Sequence, residues 1–447
     1  MRNFFLFLFL VVIITPANAQ LKAGVGRKVI TPELPFYLTG YASRTTPSVA
    51  KIHDLWAKAL LIEASPNSRT VIVTTDVLGL TPQIHAEVVD ELYRKFNFQK
   101  SQIILNSSHT HAGPMVWPSL EMIGDYDSAV VKKFVKYNKF LVRSIVEVVE
   151  DAIKNKFPAQ LATGHGEADF AMNRRQLVKG KIINGKNPEG AKDHDVPVLK
   201  VTDAGGAVRA LLFGYACHNT TVPGSVDLIN GDYAGFAQIE LEKKYQGATA
   251  LFFTGCAGDQ NPQPRGTLEL AEKHGNALAN AVKSVVDRSM RPVTGTVKSH
   301  LHETTLQFVP FDVAKYESEL QSANPFMQRR ARLMLQAYNN EWDLTKYKYP
   351  VQVMRIGSSL TFVSLAGEVV VDYALKLKKM YPKENLFVAG YCNHVMGYIP
   401  TKKVLEEGGY EAEENLIYYG KPGPFQKDVE AKIFTSLKTA LSSVGVK

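Results

Sequence analysis

Short apolar runs alternate with amphipathic stretches along this chain, and that alternation restricts it to a layered α/β architecture. Strands are predicted at 58–64, 70–76, 102–106, 196–202, 208–216, 249–254, 350–356 and 359–365. Helical periodicity covers 83–97, 127–155, about 267–287, 368–380 and the end of 421–447. Residues 315–340, rich in Arg, Glu and Gln, read as a helical excursion over the core. In 127–155 the residues Val131, Phe134, Val135, Leu141, Ile145, Val149 and Ile153 are expected on the buried side, with Lys132, Lys133 and Lys136 away from it. Some neighbouring strands are joined by short turns, so the expected sheets are mixed and flanked by helices. With 447 residues, 45% hydrophobic and 21% charged, the chain can bury a sizeable core. No repeat or low-complexity linker divides it, so residues 20–447 read as one large domain.

The N-terminus carries Arg2, an unbroken apolar run at 4–14 and Ala17-Asn18-Ala19 ahead of Gln20. This is the pattern of a secretory signal peptide over residues 1–19, with a secreted or periplasmic destination. The run is short for a membrane span, although an uncleaved anchor is the alternative. The formal net charge is +9, and losing Arg2 leaves +8. A basic surface suits peripheral contact with anionic lipids or acidic glycans, but the lysines are scattered. No aromatic-interleaved basic run points to nucleic acid, and no obligate protein partner is evident. Cys217, Cys256 and Cys392 are too few for a disulfide scaffold and have no zinc-ribbon or CxxC spacing. They read as buried free thiols.

Six segments could carry chemistry. In Asn106-Ser107-Ser108-His109-Thr110-His111-Ala112-Gly113-Pro114 a buried strand ends in two histidines. Extended chain would turn both imidazoles to one face, at a strand's carboxyl end. A second strand ends in Cys217-His218-Asn219-Thr220. Asn230-Gly231-Asp232 precedes a helix and offers Asp232 as its N-cap. Gly255-Cys256-Ala257-Gly258-Asp259-Gln260-Asn261 is a glycine-bearing loop that lets backbone approach a ligand. Leu365-Ala366-Gly367-Glu368 places a carboxylate that either binds a metal or starts a helix. Gly409-Tyr410-Glu411 follows a polar loop, where Tyr410 alone reads as a packing residue. Each segment has an ordinary structural explanation. Together they have the layout of a site built from several strand ends.

These segments resemble the neutral (non-lysosomal) ceramidases. The motifs run in order: Ile52-His53-Asp54, His109-Thr110-His111-Ala112-Gly113-Pro114, Asn173-Arg174, Cys217-His218-Asn219-Thr220, Gly231-Asp232-Tyr233-Ala234-Gly235, Gly258-Asp259-Gln260-Asn261-Pro262, Ala366-Gly367-Glu368 and Tyr410-Glu411-Ala412. The opening Gly24-Val25-Gly26 through Gly40-Tyr41-Ala42 also matches, so the resemblance spans about 22–425. It implies a zinc site with His109, His218, Glu368 and Tyr410 as ligands. It also implies that His111 and Arg174 face the scissile carbonyl of an N-acyl lipid, with zinc-activated water as the nucleophile. Two departures stand out. Asn261 occupies the place of a family serine assigned as nucleophile, and an amide cannot serve in that role, though it can donate a hydrogen bond. Family members also carry a further C-terminal immunoglobulin-like domain, which these 447 residues stop short of. Met115-Val116-Trp117-Pro118 departs as well, and implies a reshaped pocket mouth.

The reading is an exported zinc-dependent amidase. It cleaves the N-acyl bond of a ceramide-like lipid or another N-acylated molecule, with Trp117, Asp232 and Asp259 lining the substrate site. Two alternatives are a hydrolase of ester or sugar-linked groups on glycans, with Trp117 as a stacking platform, and a non-catalytic binding protein that kept the fold.

Overall fold

The computed structural model describes residues 20–447, so the expected signal peptide lies outside the described residues. The first stretch runs β1 (Lys22–Val29), β2 (Trp56–Ser65), β3 (Ser68–Thr75), α1 (Pro82–Phe96), β4 (Ile103–Ser107), α2 (Ser128–Lys154) and β5 (Phe157–Glu167). A hairpin follows, β6 (Ala171–Val178) and β7 (Lys181–Asn187), then β8 (Asp195–Asp203), β9 (Val208–Tyr215), α3 (Asp232–Lys244), β10 (Thr249–Thr254), β11 (Gln260–Pro262), α4 (Leu268–Val286) and β12 (Arg291–Val293). The last stretch holds β13 (Val297–Gln307), α5 (Val313–Glu319), α6 (Pro325–Asn339), β14 (Lys346–Ile356), β15 (Leu360–Leu365), β16 (Glu368–Val369), α7 (Asp372–Met380), β17 (Leu386–Ala389), β18 (Tyr398–Ile399), α8 (Lys402–Glu407) and α9 (Val429–Ser443).

The main sheet has the order β10-β9-β8-β5-β1-β2-β3-β4, with β12 added along β5; a second sheet runs β13-β14-β15-β17. Both are mixed, and helices flank them, as expected. Most neighbours are antiparallel, but β3–β4, β9–β10 and β15–β17 are parallel. A parallel pair needs a crossover, and α1, α3 and α7 supply one each. The carboxyl ends of these three pairs meet. Bridges Asn106↔Cys392, Thr110↔Asn219 and Gly255↔Ala389 stitch them together. The buried Asn106 amide is the central tie. Its Oδ1 accepts from the Thr254 N–H (2.9 Å), and its Nδ2 donates to the Gly390 carbonyl (2.8 Å).

Helix α2 lies directly on β1. A Cβ on Gly24 would stand 1.8 Å from the Ala152 carbonyl oxygen, and one on Gly26 would stand 2.0 Å from that of Val148. Only glycine permits that approach. The predicted face of α2 is corrected at one position: Val135 is exposed, while Tyr137 is buried and donates its hydroxyl to the Ile30 carbonyl (2.8 Å). The 315–340 excursion is two helices, α5 and α6, because Pro325 opens a new helix capped by Asn324. Cys217, Cys256 and Cys392 are buried and unpaired, and burial raises all three thiols, Cys392 to about 11.

Behind the junction of the two sheets, His85 of α1 faces His394 with ring centroids 5.7 Å apart, and the Tyr347 hydroxyl donates to His394 Nδ1 (2.6 Å). Burial holds His85 at about 4, and burial together with His85 holds His394 at about 3. The unfolded chain binds protons here near pH 6.5, whereas the folded chain does not until far lower. Stability is therefore full above pH 6.5 and falls as pH drops toward 4, by roughly 3 kcal/mol from His85 alone. Urea midpoints measured between pH 7 and 4.5 are expected to show this slope, and His85→Leu to flatten it; an unchanged slope would refute the assignment.

Candidate metal centre and active site

Three histidines, a glutamate and a tyrosine converge where the strand ends meet. His109 and His111 follow β4, His218 follows β9, and Glu368 begins β16. β16 and β18 pair in parallel with Glu368 directly beside Tyr398. The helix-initial reading of Glu368 is thereby corrected, since α7 starts only at Asp372. The reason for the His109–His111 pairing is corrected too. His109 has φ 60°, a left-handed conformation, so simple strand alternation does not bring the rings together. Its backbone N–H donates to the Val77 carbonyl (3.0 Å) and His111 N–H to that of Asn219 (3.2 Å), which fixes the turn.

The ligand-type nitrogens of His109, His111 and His218 lie within 4.8 Å of one another. His109 Nδ1 meets the Leu78 carbonyl (2.6 Å) and His218 Nδ1 that of Ala257 (2.7 Å). A carbonyl only accepts, so both Nδ1 atoms carry the proton and both Nε2 lone pairs point inward. Glu368 Oε2 lies 3.1 Å from His109 Nε2 and 3.0 Å from His218 Nε2, and the Tyr398 hydroxyl is 3.1 Å from His218 Nε2. Tyr419 donates to Glu368 Oε1 (2.5 Å), holding the carboxylate's other oxygen. His109, His218 and Glu368 are all buried.

The electrostatics suit a cation. Burial, then Arg174, lowers His218 to about 4; burial, then His109 and His218, holds His111 well below its ordinary value. Both are neutral imidazoles at pH 7. Burial opposes ionisation of Glu368, but His109 and His218 outweigh it and hold the carboxyl well below its usual range. Inward lone pairs, a charged carboxylate and carbonyl-locked tautomers together could hold a metal ion.

Arg174 of β6 borders the cluster. It donates Nε to Glu411 (2.7 Å), one terminal NH₂ to Tyr398 (2.9 Å) and the other to Asn261 Oδ1 (3.3 Å), the latter 3.4 Å from His218 Nε2. Glu411 also accepts from Arg175 (2.8 Å), so one buried carboxylate orients two guanidinium groups. Burial disfavours the Arg174 cation, but Tyr398 and Glu411 more than restore it. Asn261 accepts from Thr220 as well (3.3 Å). Asp259 is buried and lifted to about 7, and acts on backbone: its carboxylate accepts from Val371 N–H (2.8 Å) and Asn173 Nδ2 (3.1 Å). Asp232 likewise accepts from the N–H groups of Val222 (2.8 Å) and Tyr233 (2.7 Å). It is the first residue of α3, not its N-cap, which is Gly231.

The Tyr398 hydroxyl reaches His218 at the cluster. Tyr410 packs its ring against Tyr398 (5.4 Å between centroids) and against Arg174. Gly408 and Gly409, both at positive φ, turn the chain between α8 and Tyr410. Trp117 stacks on Phe134 (5.9 Å) beside Tyr126 in the α2 aromatic cluster and makes none of the contacts that define the site. Sequence reasoning also missed Tyr391, whose ring lies 4.5 Å from His109, and Tyr419; no local signal distinguishes either.

Residues 21–268 match the neutral/alkaline non-lysosomal ceramidase family, N-terminal part. The chain belongs to this family. The match includes His109, His111, Arg174, His218 and Asn261, while Glu368, Tyr398 and Tyr410 lie beyond it. The neutral ceramidase of Pseudomonas aeruginosa is 28% identical over 262 residues, 55% of this chain and 38% of that protein. Neutral ceramidase B of Dictyostelium discoideum is 26% identical over 51% of this chain and 33% of its own length. The neutral ceramidase of Mycobacterium tuberculosis is 24% identical over 78% of this chain and 66% of its own. The chain thus matches well under half the length of the first two. The crystal structure of the P. aeruginosa neutral ceramidase superposes with a TM-score of 0.73 at 20% identity, covering 95% of this chain and 75% of that one. That likeness establishes the fold.

Two substitutions separate the tyrosines. Tyr398→Phe is expected to weaken binding of added Zn²⁺ at least tenfold in a chelator competition, while Tyr410→Phe changes it little; the reverse order would make Tyr410 the ligand tyrosine. Glu411→Gln leaves the buried Arg174 guanidinium without a carboxylate partner and Arg175 with Glu407 alone (3.1 Å), and is expected to lower unfolding stability by about 3 kcal/mol in urea titration.

Proposed function

We propose that this protein is an exported, zinc-dependent amidase that hydrolyses the N-acyl bond of a ceramide-like lipid. The observation that carries the proposal is the inward convergence of His109, His218, Glu368 and Tyr398, with Arg174 and His111 at its edge. Those first four residues would hold the metal. When bound, zinc supplies Lewis-acid polarisation of a carbonyl and a water acidic enough to act near neutral pH. Family membership supports the amide bond and the lipid substrate. The basic, apolar N-terminal segment at 1–19 supports export.

The chain's own residues divide the remaining work. Arg174, fixed by Glu411 and Tyr398, presents a guanidinium that binds and orients the substrate's oxygen. His111 is neutral; its Nε2 faces the cluster, 3.2 Å from His109 Nε2, while its buried Nδ1 packs against Gly40. Nε2 is therefore the nitrogen placed to take a proton from the attacking water and pass it to the leaving amine. Its place is set by Gly40: a Cβ there would stand 2.6 Å from the His111 ring. Asn261 takes no part as a nucleophile; its Oδ1 is engaged by Arg174 and Thr220, so it steadies the guanidinium.

Purified protein is expected to hold about one zinc per chain and to release fatty acid from a short-chain ceramide, with both lost on chelation. His111→Ala should keep the zinc and lose about 10²–10⁴-fold in kcat. Zinc without ceramide turnover would remove the substrate assignment and keep the site; absence of zinc would overturn the proposal.

A further inference from the structure

The β6–β7 hairpin that carries Arg174 into the site ends in a tip with unusual chemistry. It turns at Lys179 and Gly180, both at positive φ. Leu177 pairs with Ile182, and Gln176 with Ile183, so apolar side chains occupy both faces of the ribbon. Leu177 is 69% exposed, Ile183 45% and Val178 37%. A two-sided apolar tip cannot be buried against one neighbouring layer of its own fold; Ile182 packs against Gly409, while Leu177, Val178 and Ile183 stay exposed. The tip is also cationic. Lys179 and Lys181 flank the turn and Lys186 lies further along β7; all three are exposed and, among the described residues, form no ion pair, while the hairpin 171–187 holds no carboxylate. Leu177 is three residues beyond Arg174 on an extended strand, roughly 10 Å away.

We propose that this hairpin tip is a docking element for an anionic lipid surface. Leu177, Val178 and Ile183 bed at the level of the headgroups and upper acyl chains, and the lysines engage acidic headgroups. The inference rests on the reading that the substrate is a membrane-resident N-acyl lipid, and deepens it. Docking at the rim brings the lipid leaflet within reach of the guanidinium of Arg174 without the lipid leaving for water. Charge complementarity selects an anionic membrane over a partner protein: three unpaired lysines on an apolar hairpin without carboxylates match a leaflet that is negative outside and apolar beneath.

The test uses the full chain and sedimentation with phosphatidylcholine vesicles, with and without phosphatidylserine, in the absence of ceramide. Wild type is expected to partition onto the phosphatidylserine vesicles and to be released by salt. Lys179→Glu/Lys181→Glu and, separately, Leu177→Ser/Ile183→Ser are each expected to lower that partition at least tenfold, with circular dichroism unchanged. Both variants should still turn over short-chain ceramide in detergent micelles at the wild-type rate, while losing turnover of ceramide embedded in the vesicles. Equal partition of wild type and variants overturns the proposal, as does a wild type that ignores both vesicle types. A tip-dependent dimer in place of vesicle binding would assign the surface to a second copy and also overturn it. Vesicle binding is read without substrate, so a protein that binds vesicles but cleaves no ceramide would sink the proposed activity and leave the docking surface standing.

Discussion

The buried amide of Asn106 is the tie on which the site depends. Each parallel strand pair delivers one chemical group from its carboxyl end: His109 after β4, His218 after β9, Glu368 after β15. Nothing in a single crossover unit fixes its end relative to the other two. Asn106 does this by hydrogen-bonding the backbone of Thr254 and Gly390, so the ends of β4, β10 and β17 share one side chain. A buried amide with both its oxygen and its nitrogen satisfied by backbone has one geometry, and a shift of any strand end would leave a polar group unpaired at a cost of about 1–3 kcal/mol.

The polar interior around this junction alternates in charge outward from Glu368. Glu368 is the anion at the centre, with the His109 and His218 imidazoles against one oxygen and Tyr419 on the other. Outside it, Arg174 is held by Glu411 and Tyr398, and Glu411 in turn holds Arg175. Each buried charge therefore meets a group of opposite sign or a hydrogen-bond donor. This satisfies the condition under which buried ions are tolerated, and it explains why Glu411, which touches none of the converging imidazoles, is as deeply buried as Glu368.

Much of this arrangement was legible along the chain. The apolar runs at 70–76, 102–106, 208–216 and 249–254 are buried strands, because in a sheet covered on both faces hydrophobicity is continuous. Histidines placed where such runs end pointed to a shared cavity. The hairpin β6–β7 and the strand β13 carry no apolar run, since they are polar and half exposed, and β13 takes its partner β14 from about forty positions or more away. Tyr398 escaped for a related reason. Its importance comes from lying beside Glu368 in a two-residue parallel bridge spanning thirty positions, which no local pattern encodes. Tyr410 by itself reads as a packing residue, and its ring does pack against Tyr398 and Arg174; its place among the expected ligands came from the family resemblance alone.

The three cysteines have a consequence for how the chain matures. Each sits in a different part of the core, at 217, 256 and 392, with its thiol protonated and sealed from solvent. Thiolate is the reactive species in exchange and oxidation, so the finished fold offers neither a nucleophile nor a bridge to be reduced. Its integrity is thus independent of redox poise: the same structure persists in a glutathione-rich compartment and in an oxidising one, and the only interval in which these sulfurs can be trapped is before the strands close over them.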